Sequence, residues 1–162
     1  MKDRFDPLVP IVGAGFLALF AWLWTTHQAI YHRALAWWIG MPFDHPFLDT
    51  QFITAGVRCW AQGVNVYDAD PCDPLDRPHT YSPLFLRLTF LPTDDSALPW
   101  LGVGLVAAFL VAVGFLPRLR RLSDRLWLLL AVLSPPAAFA AERGNLDLAI
   151  FVLLVIAGWC LV

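Results

Sequence analysis

Four apolar runs, each near the length a helix needs to cross a lipid bilayer, constrain this chain more than any other feature. They lie at about 8–26, 100–116, 126–141 and 146–162, with polar stretches between them. Of the 162 residues, 59% are hydrophobic and 15% charged, where a soluble domain carries about 25% charged residues. The mean hydropathy is +0.62. In hydrocarbon every backbone polar group must be bonded within the chain, and for runs of this length that means helices. The expected fold is an all-α integral membrane protein, one multi-spanning helical bundle over 1–162. A long exported loop, at about 27–99, should carry short interfacial helices.

The first run opens after Pro7 and ends in Trp22 and Trp24, an aromatic pair suited to the membrane interface. No small-residue cleavage site follows it cleanly, so it reads as a retained anchor. The third run contains Pro135 and Pro136 and should bend or break there. Lys2 and Arg4 precede the first run, and Arg118, Arg120, Arg121 and Arg125 follow the second. Positive residues stay inside, so both clusters should face the cytoplasm. Between them, Asp44 to Asp95 holds eight Asp and only Arg58, Arg77 and Arg87, which suits an exported segment. The expected location is the inner or plasma membrane, with any active site on the outer side. A net charge of −2 without a Lys/Arg stripe argues against a nucleic-acid partner.

Two shorter segments stay open in the sequence. Ile30 to Ile39, with His32, Arg33 and the pair Trp37–Trp38, reads either as an interfacial helix or as an extension of the first span. Leu84 to Leu91, bounded by Pro83 and Pro92, is too short to cross as a regular helix; it reads as interfacial, re-entrant or a short span. The stretch Asp68 to Thr80 is rich in Asp and Pro and should be an exposed loop. Gly13–Gly15 and Gly102–Gly104 should mark close helix packing. Cys160 should be a small buried hydrophobe. Cys59 and Cys72 both fall in the expected exported segment, where a disulfide would persist, although no cysteine pattern demands one. Asp68, Asp70, Asp73 and Asp76 lack the spacing of a dedicated cation loop, and no metal or other cofactor is expected.

The chemistry-bearing segment runs from Phe47 to Pro83. Phe52, Ala55, Gly56, Cys59 and Trp60 recur at helical spacing, predicting a short amphipathic helix with one face on the membrane. Asp49 would sit at its start, where the helix dipole favours a carboxylate. Gly63 then opens Gly-Val-Asn-Val-Tyr67-Asp68, and Tyr81-Ser82-Pro83-Leu84 precedes the next apolar residues. Further on, Ser134-Pro135-Pro136 is followed by Glu142-Arg143-Gly144-Asn145-Leu146-Asp147.

In their order these landmarks resemble the GT-C membrane glycosyltransferases, and among them glycosyltransferase family 87, which uses polyprenyl-phosphate mannose. That family shows an Asp after the first span, a Gly-x-x-x-Tyr-Asp-like turn, Tyr-Pro-Pro-Leu, then Ser-Pro-Pro and a Glu-Arg-Gly-Asn-like element. The chain departs from it in having Thr50, Gln51, Phe52 and Ile53 where aromatics are usual, and Tyr-Ser-Pro for Tyr-Pro-Pro. Family members carry several further spans, so the resemblance implies that this chain corresponds to the N-terminal portion.

The resemblance implies an inverting hexosyltransferase, most simply a mannosyltransferase. Its partners would be a lipid-linked sugar donor, a lipid or glycan acceptor and membrane lipids, with a second chain if catalysis needs one. Asp49 would be the general base, and Tyr67, His79, Tyr81, Glu142, Arg143 and Asn145 would bind substrate. Arg143 would receive part of the leaving phosphate's charge. Each residue also has a plainer reading. Asp49 would be a helix cap. Glu142 and Arg143 would be a charge pair closing a loop, and Asn145 a cap for the last helix. Tyr67 and Tyr81 would be interfacial belt residues, and His79 a solvated loop histidine. A non-catalytic membrane subunit or truncated remnant is the alternative function. A transporter is third, because the clear charges sit at span ends.

Overall fold

The computed structural model describes residues 5–40, 46–117, 119 and 121–161. Lys2, Arg4, Asp44, Arg118 and Arg120, used above to argue orientation, lie outside these. The described residues form seven α-helices and no strand. They are α1 (Leu8–Thr26), α2 (Gln28–Ile39), α3 (Leu48–Ala61), α4 (Leu98–Gly114), α5 (Leu122–Val132), α6 (Pro135–Arg143) and α7 (Leu146–Cys160).

Among the described residues α1 alone is long and apolar enough to cross a membrane, and α5 with α6 passes the same test only as a pair bent by 48°. That bend falls where Pro135 and Pro136 remove backbone donors, as the sequence requires. The apolar helices α4 and α7 have 17 and 15 residues. At about 1.5 Å per residue each is shorter than a hydrocarbon core of about 30 Å.

The backbone breaks at His27 (φ −141°, ψ 55°), so α2 is a separate helix and no extension of α1. It folds back along α1: Phe20 meets both Tyr31 and Trp38, at ring-centroid distances of 6.0 and 5.6 Å. Segment 84–91 forms only one 3-10 turn, Phe85–Arg87, with Leu84 and Phe90 exposed. No α-helix forms there.

The helices α1, α4 and α7 pack side by side. Gly13 lets Leu110 approach α1, and Gly102 lies under the Phe47 ring, so a Cβ at either position would overlap its neighbour. Gly15 and Gly104, by contrast, have open space around them. Phe109 and Phe151 join α4 to α7 at 5.1 Å. At one end of the bundle Arg125 pairs with Asp6 at 3.1 Å, and the Trp159 indole donates to the Phe115 carbonyl at 3.1 Å. Phe5 and Asp6, the end of α4, the start of α5 and the end of α7 therefore gather there. The candidate site occupies the opposite end. Cys160 is exposed, against expectation, because α7 turns that face away from the bundle.

Candidate functional site

Helix α3 forms where its periodicity predicts, but its burial is not one-sided. Leu48 to Val57 is buried apart from Thr50 and Gln51, which are half-buried. Both the loop after α3 and the α6–α7 turn close over it. Phe47 precedes α3 in the left-handed region (φ 67°), and its backbone N–H donates to the Glu142 carbonyl at 2.7 Å. Next along the turn, Arg143 forms an ion pair with Asp49, two residues after Phe47. The Thr50 hydroxyl donates to the Gly144 carbonyl at 2.8 Å, and the Asn145 amide donates to Asp49 Oδ2 at 2.8 Å. Four successive residues, 142 to 145, thus bond to the start of α3 across more than ninety positions of sequence.

Asp49 is in the first turn of α3, yet it does not cap it; its carboxylate is taken by Arg143 and Asn145. Asn145 does cap α7, accepting the Asp147 backbone N–H at 2.9 Å, while its other end holds Asp49. The pairing of Glu142 with Arg143 is replaced by divergence. Arg143 turns to Asp49, with its guanidinium 5.3 Å from the Phe139 ring, whereas Glu142 lines an apolar cavity of about 270 Å³. Tyr31 lines the same cavity; burial first, and then the Glu142 charge, hold its phenol well above its usual range.

The loop from Gln62 to Tyr81 is not the open segment its composition suggests. Asp70, Asp73 and His79 are buried in it. A Cys59–Cys72 disulfide, with Cα atoms 5.8 Å apart, ties the loop to α3. Arg58 adds a bond to the Cys72 carbonyl at 3.0 Å. Cys59, Asp70 and Cys72 bring potential ligand atoms within 4.8 Å of one another, but both sulfurs are in the bridge and neither is a thiolate.

His79 packs flat on Phe52 at 5.3 Å and lies against Gly56, its backbone N–H held by the Val66 carbonyl at 2.7 Å. It is 3% exposed, so the solvated reading fails. Burial, opposed by the Asp70 charge, pushes the imidazole below its ordinary pKa. Tyr67 is half-exposed and touches His79 edge-on at 5.7 Å, with no polar bond to Asp49. Tyr81 lies 5.6 Å from Phe52, and its phenol is raised by burial and by the charge of nearby Asp49.

The structure therefore gathers Asp49, Arg143 and Asn145, sets Tyr81 with His79 on the Phe52 ring and within reach of the Asp49 charge, places Tyr67 behind His79, and turns Glu142 toward the cavity. Sequence reading missed Arg77. Its guanidinium takes Asp73 in a fork of two 2.8 Å bonds, sits 4.6 Å above the Phe52 ring and donates to the Leu48 carbonyl at 3.4 Å. Asp73 is wholly buried; burial works to raise it, but the Arg77 bonds outweigh that and leave it below the usual carboxylate range. The one available signal was that Arg77 is among the few cations in an otherwise acidic segment.

Comparison of the chain with known protein families, characterised proteins and solved structures finds no match.

Proposed function

We propose that this chain is the N-terminal portion of a membrane glycosyltransferase that moves a hexose from a polyprenyl-phosphate-linked donor to a hydroxyl acceptor outside the cytoplasm. The observation carrying the reading is the Asp49–Arg143–Asn145 cluster. Its members come from the two separate segments on which the resemblance to the GT-C enzymes rests. Tyr81, from a third such segment, packs on Phe52 within reach of the Asp49 charge. The apolar cavity next to the same turn suits a hydrocarbon chain whose polar head lies at the cluster.

In this reading Asp49 accepts the proton of the acceptor hydroxyl as that oxygen bonds to the anomeric carbon. The carbon–oxygen bond to phosphate breaks on the opposite face, and the lipid phosphate leaves with the electron pair. Asp49 loses one negative charge as the leaving phosphate gains one. Arg143, its partner in the resting site, is then balanced by the phosphate, an electrostatic handover that needs no large movement. Tyr67, His79 and Glu142 would act behind the first contacts.

The test is transfer from a polyprenyl-phosphate sugar in membranes containing the complete protein, comparing wild type with Asp49→Asn and Asp49→Ala at equal membrane levels. Loss of transfer in both is expected; wild-type rates in either would overturn the proposal. A non-catalytic membrane subunit is the second reading, and one feature favours it: Asp49 is already fully engaged, as a structural clasp requires. It expects Asp49 substitutions to change stability alone.

A further inference from the structure

Arg77 is built into the wall of the Asp49 site more firmly than a loop arginine requires. Its partner Asp73 is wholly enclosed and accepts from the backbone N–H groups of Leu75 at 3.2 Å and Arg77 at 3.1 Å, besides the guanidinium fork. The carboxylate is therefore fixed before it holds the side chain. Phe52, three residues beyond Asp49, fixes the guanidinium plane from below.

A guanidinium has five N–H groups. Nε and Nη2 serve Asp73, and Nη2 also reaches the Leu48 carbonyl, so among the described residues these bonds leave the Nη1 edge unused. The side chain is 29% exposed, so that edge is reachable. Asp49 and Tyr81 lie within its electrostatic reach.

We infer that the Nη1 edge of Arg77 is an anion contact of the site and binds the phosphate of a lipid phosphate ester, opposite Arg143. The inference deepens the transferase reading and rests on it for the identity of the ligand. The chemistry follows from the fork. The Nε–Nη2 edge of the guanidinium is occupied by a buried carboxylate that sets its direction, and Nη1 is left to present charge-assisted N–H donors to a phosphate oxygen. Asp73 is then a positioning residue, acting through Arg77.

The experiment measures binding of dodecyl phosphate and of dodecanol to the full chain in nanodiscs, alongside sugar transfer from the lipid-phosphate donor. Arg77→Gln should weaken dodecyl phosphate binding roughly tenfold or more and leave dodecanol unchanged. Arg77→Lys keeps the charge without the fork and should recover only part of the loss. Asp73→Asn should weaken binding while retaining the cation. A wild-type unfolding temperature, measured with the Cys59–Cys72 bridge intact, shows that each variant is folded. Unchanged phosphate binding in folded Arg77→Gln overturns the inference, as does equal loss of dodecanol. If phosphate binding depends on Arg77 and no sugar is transferred by wild type, the transferase reading falls and the anion site stands. If Arg77→Gln transfers sugar with unchanged KM, the anion site falls and the transferase reading stands.

Discussion

Asn145 holds Asp49 with one end of its side chain and caps α7 with the other: its amide donates to Asp49 Oδ2 at 2.8 Å, and its carbonyl accepts from Asp147 N–H at 2.9 Å. The direction of the site carboxylate is therefore set by the residue that starts the last helix.

Asn145→Ala removes both bonds. Loss of a cap costs about 1 kcal/mol and loss of a bond to a charged group about 1.5 kcal/mol, so thermal denaturation should show a fall of about 2–3 kcal/mol. Asn145→Asp keeps the cap but sets a second carboxylate against Asp49. It should be destabilised to a similar extent near neutral pH and recover as the solution is acidified. A variant with Asp at 145 that is insensitive to pH would argue that the contact to Asp49 is weak.

The Cys59–Cys72 bridge closes 13 residues of sequence separation, and that segment contains no helix beyond the end of α3. Closing a loop of this size removes unfolded-state freedom worth about 3 kcal/mol. The paired substitution to Ala should lower the unfolding temperature by several degrees. It should also loosen Arg77, His79 and Tyr81, which the loop carries to α3. Hydrogen exchange over 62–81 reads that second effect; equal protection in both forms would show that the packing on Phe52 suffices.

How far the sequence revealed this arrangement varies by element. The apolar runs placed α1, α4 and α7 within two residues of their starts, since composition and length alone demand helices there. The proline pair located the break between α5 and α6. Asp49, Arg143 and Asn145 stood out by motif order, and the turn at Gly144 brings all three together. The fold of residues 62–81 was not legible, because prolines and aspartates signal a loop without saying whether it is exposed. Burial of Asp70, Asp73 and His79 depends on the disulfide and on the Asp73–Arg77 fork, and neither leaves a periodic pattern. Cys160 was misplaced for a related reason: an apolar run has no polar face to mark which side packs on the bundle.

His79 gives the site a pH dependence whose sign can be worked out. Burial holds its folded-state pKa below the unfolded value of about 6.5, so the unfolded chain binds protons more readily. Stability should be full above that value and decline as pH falls through the window below it. Asp70, raised by burial, works in the opposite direction. His79→Phe retains a ring on Phe52 and cannot titrate. Between pH 7 and pH 5.5 the wild type should lose stability relative to the variant; equal slopes would assign the effect elsewhere.

Gly144 tests the clasp most directly. It ends α6 in the left-handed region (φ 59°), and a Cβ there would overlap Thr50 Oγ1, the same atom that donates to its carbonyl. Gly144→Ala therefore meets two independent penalties. The backbone conformation costs an L-residue about 1–2 kcal/mol, and the overlap forces the turn away from α3. Thr50→Ala removes the overlap and sacrifices one hydrogen bond, worth about 1 kcal/mol. If the two residues act through this contact, the double variant should be more stable than the sum of the single losses predicts, by about 1 kcal/mol or more, while still falling below wild type because the backbone penalty remains. Arg143 and Asn145 flank Gly144, so the single variant should also displace them from Asp49. On the transferase reading, sugar transfer should fall further than stability, and the second substitution should return part of it. Strict additivity in the cycle would show that the turn and the start of α3 are not coupled through Thr50.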